Sequence, residues 1–268
     1  MLLIKKLYRY GNRGIPLNLL CSYLENRVQK VKIQDLLSAP GIITTGVPQG
    51  TILGPLLFIL YVNDLLTKNS SILSYADDTA VISIENSSII AENEMNSKLS
   101  IINQCFKNNK LTVNINKTVY MTFDCYANSV PDDYSININI DNTTIKRVES
   151  YKYLGVTFDF NLKWDSHIKN ILKKLRYFVF LQHKLKHIDK KIKNTLYYAF
   201  CHSIWNYGIL AYGGAYNSEI GPLQNILNKI LSRLQDLEAS IRKKKAYQLN
   251  SLLYHYEKLT ILFEKNSN

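Results

Sequence analysis

Several things are scarce in this chain of 268 residues. No Cys-x-x-Cys pair occurs among its four cysteines, Cys21, Cys105, Cys125 and Cys201, so neither a disulfide framework nor a zinc ribbon is indicated. Long apolar runs are also missing. The strongest, Ile52 to Val62, is broken by Gly54 and Pro55 and falls short of the ~20 residues that a membrane helix needs. At the front, Leu2-Leu3-Ile4 meets Lys5-Lys6 at once, which excludes the apolar core of a signal peptide. An intracellular protein, nuclear or cytoplasmic, with free thiols and no membrane partner is the expectation. Acidic residues are scarce as well, and residues 1–24 contain none.

What is present is a globular composition, 46% apolar and 20% charged, with enough material for one large domain or two modest ones. Lysine and arginine outnumber acids 33 to 21, for a formal charge of +12. A surplus of that size favours a polyanionic partner through counterion release, although an A/T-rich coding sequence also yields a Lys- and Asn-rich chain. The motifs have to decide between the two.

Residues 16–27 open with Pro16 and place Leu19, Leu20, Tyr23 and Leu24 at helical spacing. Residues 28–34 alternate as one strand. The loop Gly46-Val47-Pro48-Gln49-Gly50 then leads into a helix over 53–66. Two β-prone runs, 71–76 and 79–84, meet at Asp77-Asp78, which predicts a tight hairpin. A helix over 88–107 follows, then strands over 111–115 and 119–123. Ile136, Ile138 and Ile140 lead to a second hairpin turning at Asp141-Asn142, and 153–158 reads as one more strand. Beyond Trp164 every segment is helical by periodicity, near 165–186, 190–212, 219–237 and 239–263. The chain therefore divides near residue 160 into an α/β part and a helical, Lys- and Tyr-rich part.

Two segments can carry chemistry. In Tyr75-Ala76-Asp77-Asp78 the adjacent carboxylates repel unless a cation or a turn satisfies them. A hard divalent ion such as Mg²⁺ or Mn²⁺ is a suitable partner, because such ions take one or two carboxylates together with substrate phosphates. That arrangement suits two-metal phosphoryl transfer, whereas Asp-Asp that merely forms a turn is the simpler alternative. In the second segment, Gly46 and Gly50 permit close backbone approach, Pro48 stiffens the loop, and the Gln49 amide can bond a base or sugar.

Together, Gly-Val-Pro-Gln-Gly, a helix ending in Val62-Asn63-Asp64-Leu65, and Tyr-Ala-Asp-Asp resemble the palm of a reverse transcriptase. The order continues with Asn114-Ile115-Asn116-Lys117-Thr118, similar to the family's lysine-bearing motif, and Tyr153-Leu154-Gly155-Val156, similar to its primer grip. Residues 153–168 and 196–213 resemble the non-LTR (LINE-type) retrotransposon branch. This resemblance implies an α+β fold: a partial palm over 1–160, an antiparallel sheet with helices, followed by an all-helical thumb or connection region over 161–268. It implies RNA-directed DNA polymerisation with an RNA template, a DNA primer and dNTPs as partners.

By the same resemblance Asp77 and Asp78 hold Mg²⁺ or Mn²⁺, Tyr75 lies near the primer terminus, and Gly46, Pro48, Gln49 and Gly50 face the template and the nascent base pair. Lys117 assists the departing pyrophosphate, and Tyr153, Leu154 and Gly155 position the primer. Lys169, Lys173, Lys174 and Arg176 would follow the duplex backbone. The family's first motif supplies a further aspartate, for which residues 1–24 offer no match. Fingers and that motif are therefore expected to be missing, and the chain alone is expected to be inactive or nearly so, with unpaired sheet edges. The competing expectations are a non-catalytic nucleic-acid-binding remnant, and a helical interaction protein using 165–263. His183 and His187, four apart without further ligands, read as a solvated basic helix.

Overall fold

A computed structural model of the chain describes residues 2–66, 71–123, 135–185 and 187–234, together with 252, 256 and 260. These residues fall into two compact units, one within Met1–Val119 and Asn128–Lys146, the other within Tyr120–Ala127 and Arg147–Asn268. The expected helix over 239–263 and Cys125 lie largely outside the described residues.

The first unit opens with helices α1 (Leu2–Arg9) and α2 (Gly14–Leu24). The amphipathic order of α1 turns Leu3 and Leu7 inward, where they pack with Leu24 and Leu57 in a small core. Residues 28–34 do not form one strand. Instead β1 (Arg27–Gln29) pairs with β4 (Gly41–Ile43), and β2 (Lys32–Ile33) pairs with β3 (Leu36–Leu37) in an inner hairpin. Gln34, with φ of 53°, turns the chain there.

Helix α3 (Leu53–Leu66) occupies the expected span. It is tied to α1 by Lys6, whose ammonium lies 2.7 Å from the Asp64 carboxylate and 4.6 Å from the centre of the Tyr61 ring. Strands β5 (Ile72–Tyr75) and β6 (Asp78–Val81) form the acidic hairpin, and α4 (Ser88–Asn108) follows. The expected strand over 111–115 is absent. Leu111 to Asn114 belong to no strand, and Ile115–Lys117 form a single 3₁₀ turn. Then come β7 (Val119–Tyr120), β8 (Asn139–Ile140) and β9 (Thr143–Thr144), and β10 (Lys146–Arg147). Strands β8 and β9 turn at Asp141 and Asn142, both with positive φ as a tight hairpin turn demands.

In the second unit, β11 (Ser150–Tyr153) and β12 (Val156–Asp159) form a hairpin where one continuous strand was expected. Leu154, with φ of 45°, and Gly155, with φ of 86°, reverse the chain between them. Helix α5 (Asp165–Lys184) follows, then α6 (Lys190–Tyr197), a π-helical stretch Tyr198–His202, α7 (Ser203–Asn206), α8 (Ile209–Tyr212) and α9 (Asn217–Leu234). The expected single helix over 190–212 is thus broken, with Gly208 at φ of 71° allowing the turn into α8. Leu175, Cys201, Trp205, Tyr212, Leu223 and Ile230, each essentially inaccessible, form the larger of the two cores. Burial there pushes the Cys201 thiol up to about 12, so it stays protonated and inert.

Among the described residues every sheet has two strands. Both outer edges of the acidic hairpin are therefore unpaired by other described strands. No described helix is long and apolar enough to cross a membrane.

Candidate functional site

The acidic pair sits at the tip of a short antiparallel ladder in which Ile72 pairs with Val81 and Tyr75 with Asp78. The turn is Ala76-Asp77, one residue earlier than the Asp77-Asp78 expectation, so Asp78 opens β6 while Asp77 stands in the bend. Ala76 adopts φ of 52°, which an L-residue with a Cβ takes only when the turn compels it. Tyr75, Asp77 and Asp78 are all exposed, Tyr75 at 67%. The two carboxylates are hard oxygen donors at one solvent-facing hairpin tip, a donor type that suits a hard divalent cation. Among the described residues no third histidine, cysteine or acid joins them.

The Gly-Val-Pro-Gln-Gly loop is held by residues that sequence reading did not single out. The Arg27 guanidinium donates to the carbonyls of Gly46, at 2.6 Å, and Thr45, at 3.3 Å. The Thr51 hydroxyl donates to the Pro48 carbonyl at 3.0 Å and accepts from the Gly54 N–H at 3.1 Å and the Tyr23 hydroxyl at 2.8 Å. Gly54 is required by this closure, since a Cβ there would lie 2.5 Å from the Pro48 carbonyl oxygen. Gln49 is left exposed at the apex, while Val47 packs against the small core. Tyr23 and Arg27 lie 18 to 28 residues away from what they hold, so no local pattern could have revealed them.

Lys117 is exposed and ends the 3₁₀ turn, whose geometry is fixed by the Asn114 carbonyl accepting from the Lys117 and Thr118 N–H groups. Acidic hairpin, glycine loop and Lys117 all belong to the first unit, whereas Tyr153, Leu154 and Gly155 belong to the second. There the Leu154 carbonyl accepts from the Tyr207 hydroxyl. Lys169, Lys173, Lys174 and Arg176 are exposed along α5, together with Tyr177 and Phe180.

Comparison with known proteins places these residues in one frame. A model of the family described as reverse transcriptase (RNA-dependent DNA polymerase) matches residues 4–158, more than half of the chain. That span contains both loops, Lys117 and Tyr153–Gly155. The RNA-directed DNA polymerase from mobile element jockey of Drosophila melanogaster is 29% identical over 226 residues, 80% of this chain and 24% of the relative. The probable RNA-directed DNA polymerases from transposons BS and X-element, also of Drosophila melanogaster, are 26% and 27% identical over 89% and 92% of this chain, each covered over 27% of its own length. The chain thus spans about a quarter of the length of these three curated relatives. It belongs to the reverse transcriptase (RNA-dependent DNA polymerase) family, in the non-LTR retrotransposon branch.

Proposed function

We propose that the chain carries part of the nucleotidyl-transfer site of an RNA-directed DNA polymerase, with residues 1–160 serving as a partial palm and 161–268 as a thumb-like region. The observation that carries this reading is the exposed Asp77–Asp78 pair at the tip of the β5–β6 hairpin. These carboxylates would hold Mg²⁺ or Mn²⁺, which when bound neutralises the phosphate charge and activates the attacking 3′-hydroxyl.

The remaining groups act by placement. Tyr75, on the strand that enters the turn, packs beside the primer end. Gln49 offers its amide to the template and the nascent base pair. Lys117 supplies a mobile ammonium to the departing pyrophosphate oxygen, as a general acid does. Tyr153, Leu154 and Gly155 set the primer strand. Two carboxylates alone leave the hydroxyl poorly fixed, and small misplacements cost ~10²-fold in rate. This chain by itself is therefore inactive or nearly so.

Primer extension on a primed RNA template with Mg²⁺ tests the reading. The chain should give trace incorporation, a version joined to a strand bearing the family's first aspartate should give far more, and Asp77→Asn with Asp78→Asn should abolish both. Undiminished synthesis by the double variant would sink the proposal.

A second reading, nucleic-acid binding without catalysis, is favoured by α5. Lys169, Lys173, Arg176, Tyr177, Phe180 and Lys184 are all exposed, and the Lys184 ammonium lies 5.2 Å from the centre of the Phe180 ring. Cations spaced three or four apart share one helix face and can follow a phosphate backbone. Replacing Lys169, Lys173 and Arg176 with glutamine should flatten the salt dependence of binding by roughly one logarithmic unit for each phosphate no longer neutralised. This reading stands if the parent chain binds with a steep salt slope but never incorporates a nucleotide.

A further inference from the structure

We propose that Thr51 is a positioning residue that fixes the conformation in which the Gly46–Gly50 loop presents Gln49; this rests on the reading of that loop as a template contact. Its hydroxyl has one proton to give and two lone pairs to offer. All three are used. The proton goes to the Pro48 carbonyl at 3.0 Å, and the lone pairs take the Gly54 N–H at 3.1 Å and the Tyr23 hydroxyl at 2.8 Å.

Each partner brings a different part of the structure to the loop. Pro48 is the loop's own stiff residue. Gly54 lies in the first turn of α3, where backbone N–H groups lack partners within the helix and need an outside acceptor. Tyr23 comes from α2 and packs against the same small core as Val47. Thr51 therefore joins the loop, the helix it enters and the helix before it through one oxygen. Arg27, on β1, closes the other end by holding the Gly46 carbonyl at 2.6 Å. Between these two fixed ends Gln49 projects into solvent. A loop pinned at both ends keeps its contact group in place and loses little further freedom on binding.

The test uses three variants of the full chain. Thr51→Val keeps the shape and removes the hydroxyl, Thr51→Ser restores it, and Tyr23→Phe removes one donor only. Hydrogen–deuterium exchange over residues 46–54 should rise roughly tenfold in Thr51→Val, the scale of a single hydrogen bond. It should rise less in Tyr23→Phe and return to the parent level in Thr51→Ser, with residues 150–159 unchanged throughout. Affinity for a primed RNA template, read by fluorescence anisotropy, should fall roughly fivefold in Thr51→Val at constant salt slope, since no cation is removed. Serine should rescue it. Unchanged exchange in Thr51→Val overturns the assignment, and so does raised exchange with unaltered affinity. Should the parent chain bind no primed template, the nucleic-acid reading of the loop fails, and exchange still decides whether Thr51 holds it.

Discussion

The Tyr207 hydroxyl donates to the Leu154 carbonyl at 2.5 Å, and its ring covers Gly155 so closely that a Cβ there would lie 2.9 Å from Cε1. One tyrosine thus clamps the whole β11–β12 turn against the segment that follows α7. The neighbouring Gly208 repeats the relationship in reverse, since a Cβ there would lie 2.6 Å from Val156 Cγ2. Hairpin and helical segment fit because each offers a glycine to the other's side chain.

Gly155→Ala should therefore destabilise the second unit by ~1–3 kcal/mol, combining the strain of a left-handed residue with the steric conflict. Tyr207→Phe keeps the ring and should cost only about 1 kcal/mol, the net worth of one hydrogen bond. Both tryptophans, Trp164 and Trp205, are buried in this unit, so urea unfolding followed by their fluorescence reads the effect directly. No measurable loss in Gly155→Ala would show that the close approach of the Tyr207 ring to Gly155 carries no penalty.

A histidine gives the same unit a pH dependence. His167 is 6% exposed; its Nδ1 accepts from the Thr157 N–H at 3.2 Å and its ring lies 4.9 Å from that of Tyr212. Burial lowers its pKa below the usual 6.5, the Lys174 charge lowers it further, and Asp159 opposes both. Folding thus depresses the pKa, so the unfolded chain binds the proton more readily. The resulting stabilisation is complete above the ordinary imidazole value and is lost as pH falls from there through the depressed folded value. Thermal unfolding monitored by tryptophan fluorescence should show a lower midpoint at pH 5.5 than at pH 7.5. His167→Gln, which can still accept from Thr157, should flatten that difference; a variant with the parent's full pH response would assign the effect elsewhere.

Long periodic segments were legible in the sequence. Helix α3 spans the expected residues, its apolar run being too long for a strand, and α5, whose apolar residues recur at helical spacing, ends within two of the expected boundary. The β8–β9 turn was legible because Asp141-Asn142 carries its own turn chemistry. Short strands were not. Residues 28–34 alternate well enough for one strand, but Gln34 turns left-handed and the pairing splits into nested hairpins. The β11–β12 turn was hidden by Leu154, a residue with no turn preference, although Gly155 beside it was the available signal. For the candidate site, the acids and the glycine loop stood out by local pattern. Tyr23, Arg27 and Thr51 did not, because their roles exist only once α2, β1 and α3 have come together.

Backbone strain also sits at the acidic turn. Ala76 holds φ of 52° between Tyr75 and Asp77, a conformation that penalises an L-residue by ~1–2 kcal/mol. Glycine removes that penalty, while its freedom in the unfolded chain works against folding by ~0.4–1 kcal/mol. Ala76→Gly should therefore leave the β5–β6 hairpin slightly more stable, by about 0.5 kcal/mol. Ala80, in the middle of β6 opposite Leu73, has no such strain, and Ala80→Gly should weaken the same ladder by ~0.5–1 kcal/mol. Amide exchange along the ladder, including the Ile82 N–H that bonds the Ser71 carbonyl at 2.9 Å, separates the two outcomes. Comparable weakening by both substitutions would mean that Ala76 is relaxed in its turn. Opposite signs would mean that the chain bears backbone strain at the residue preceding Asp77.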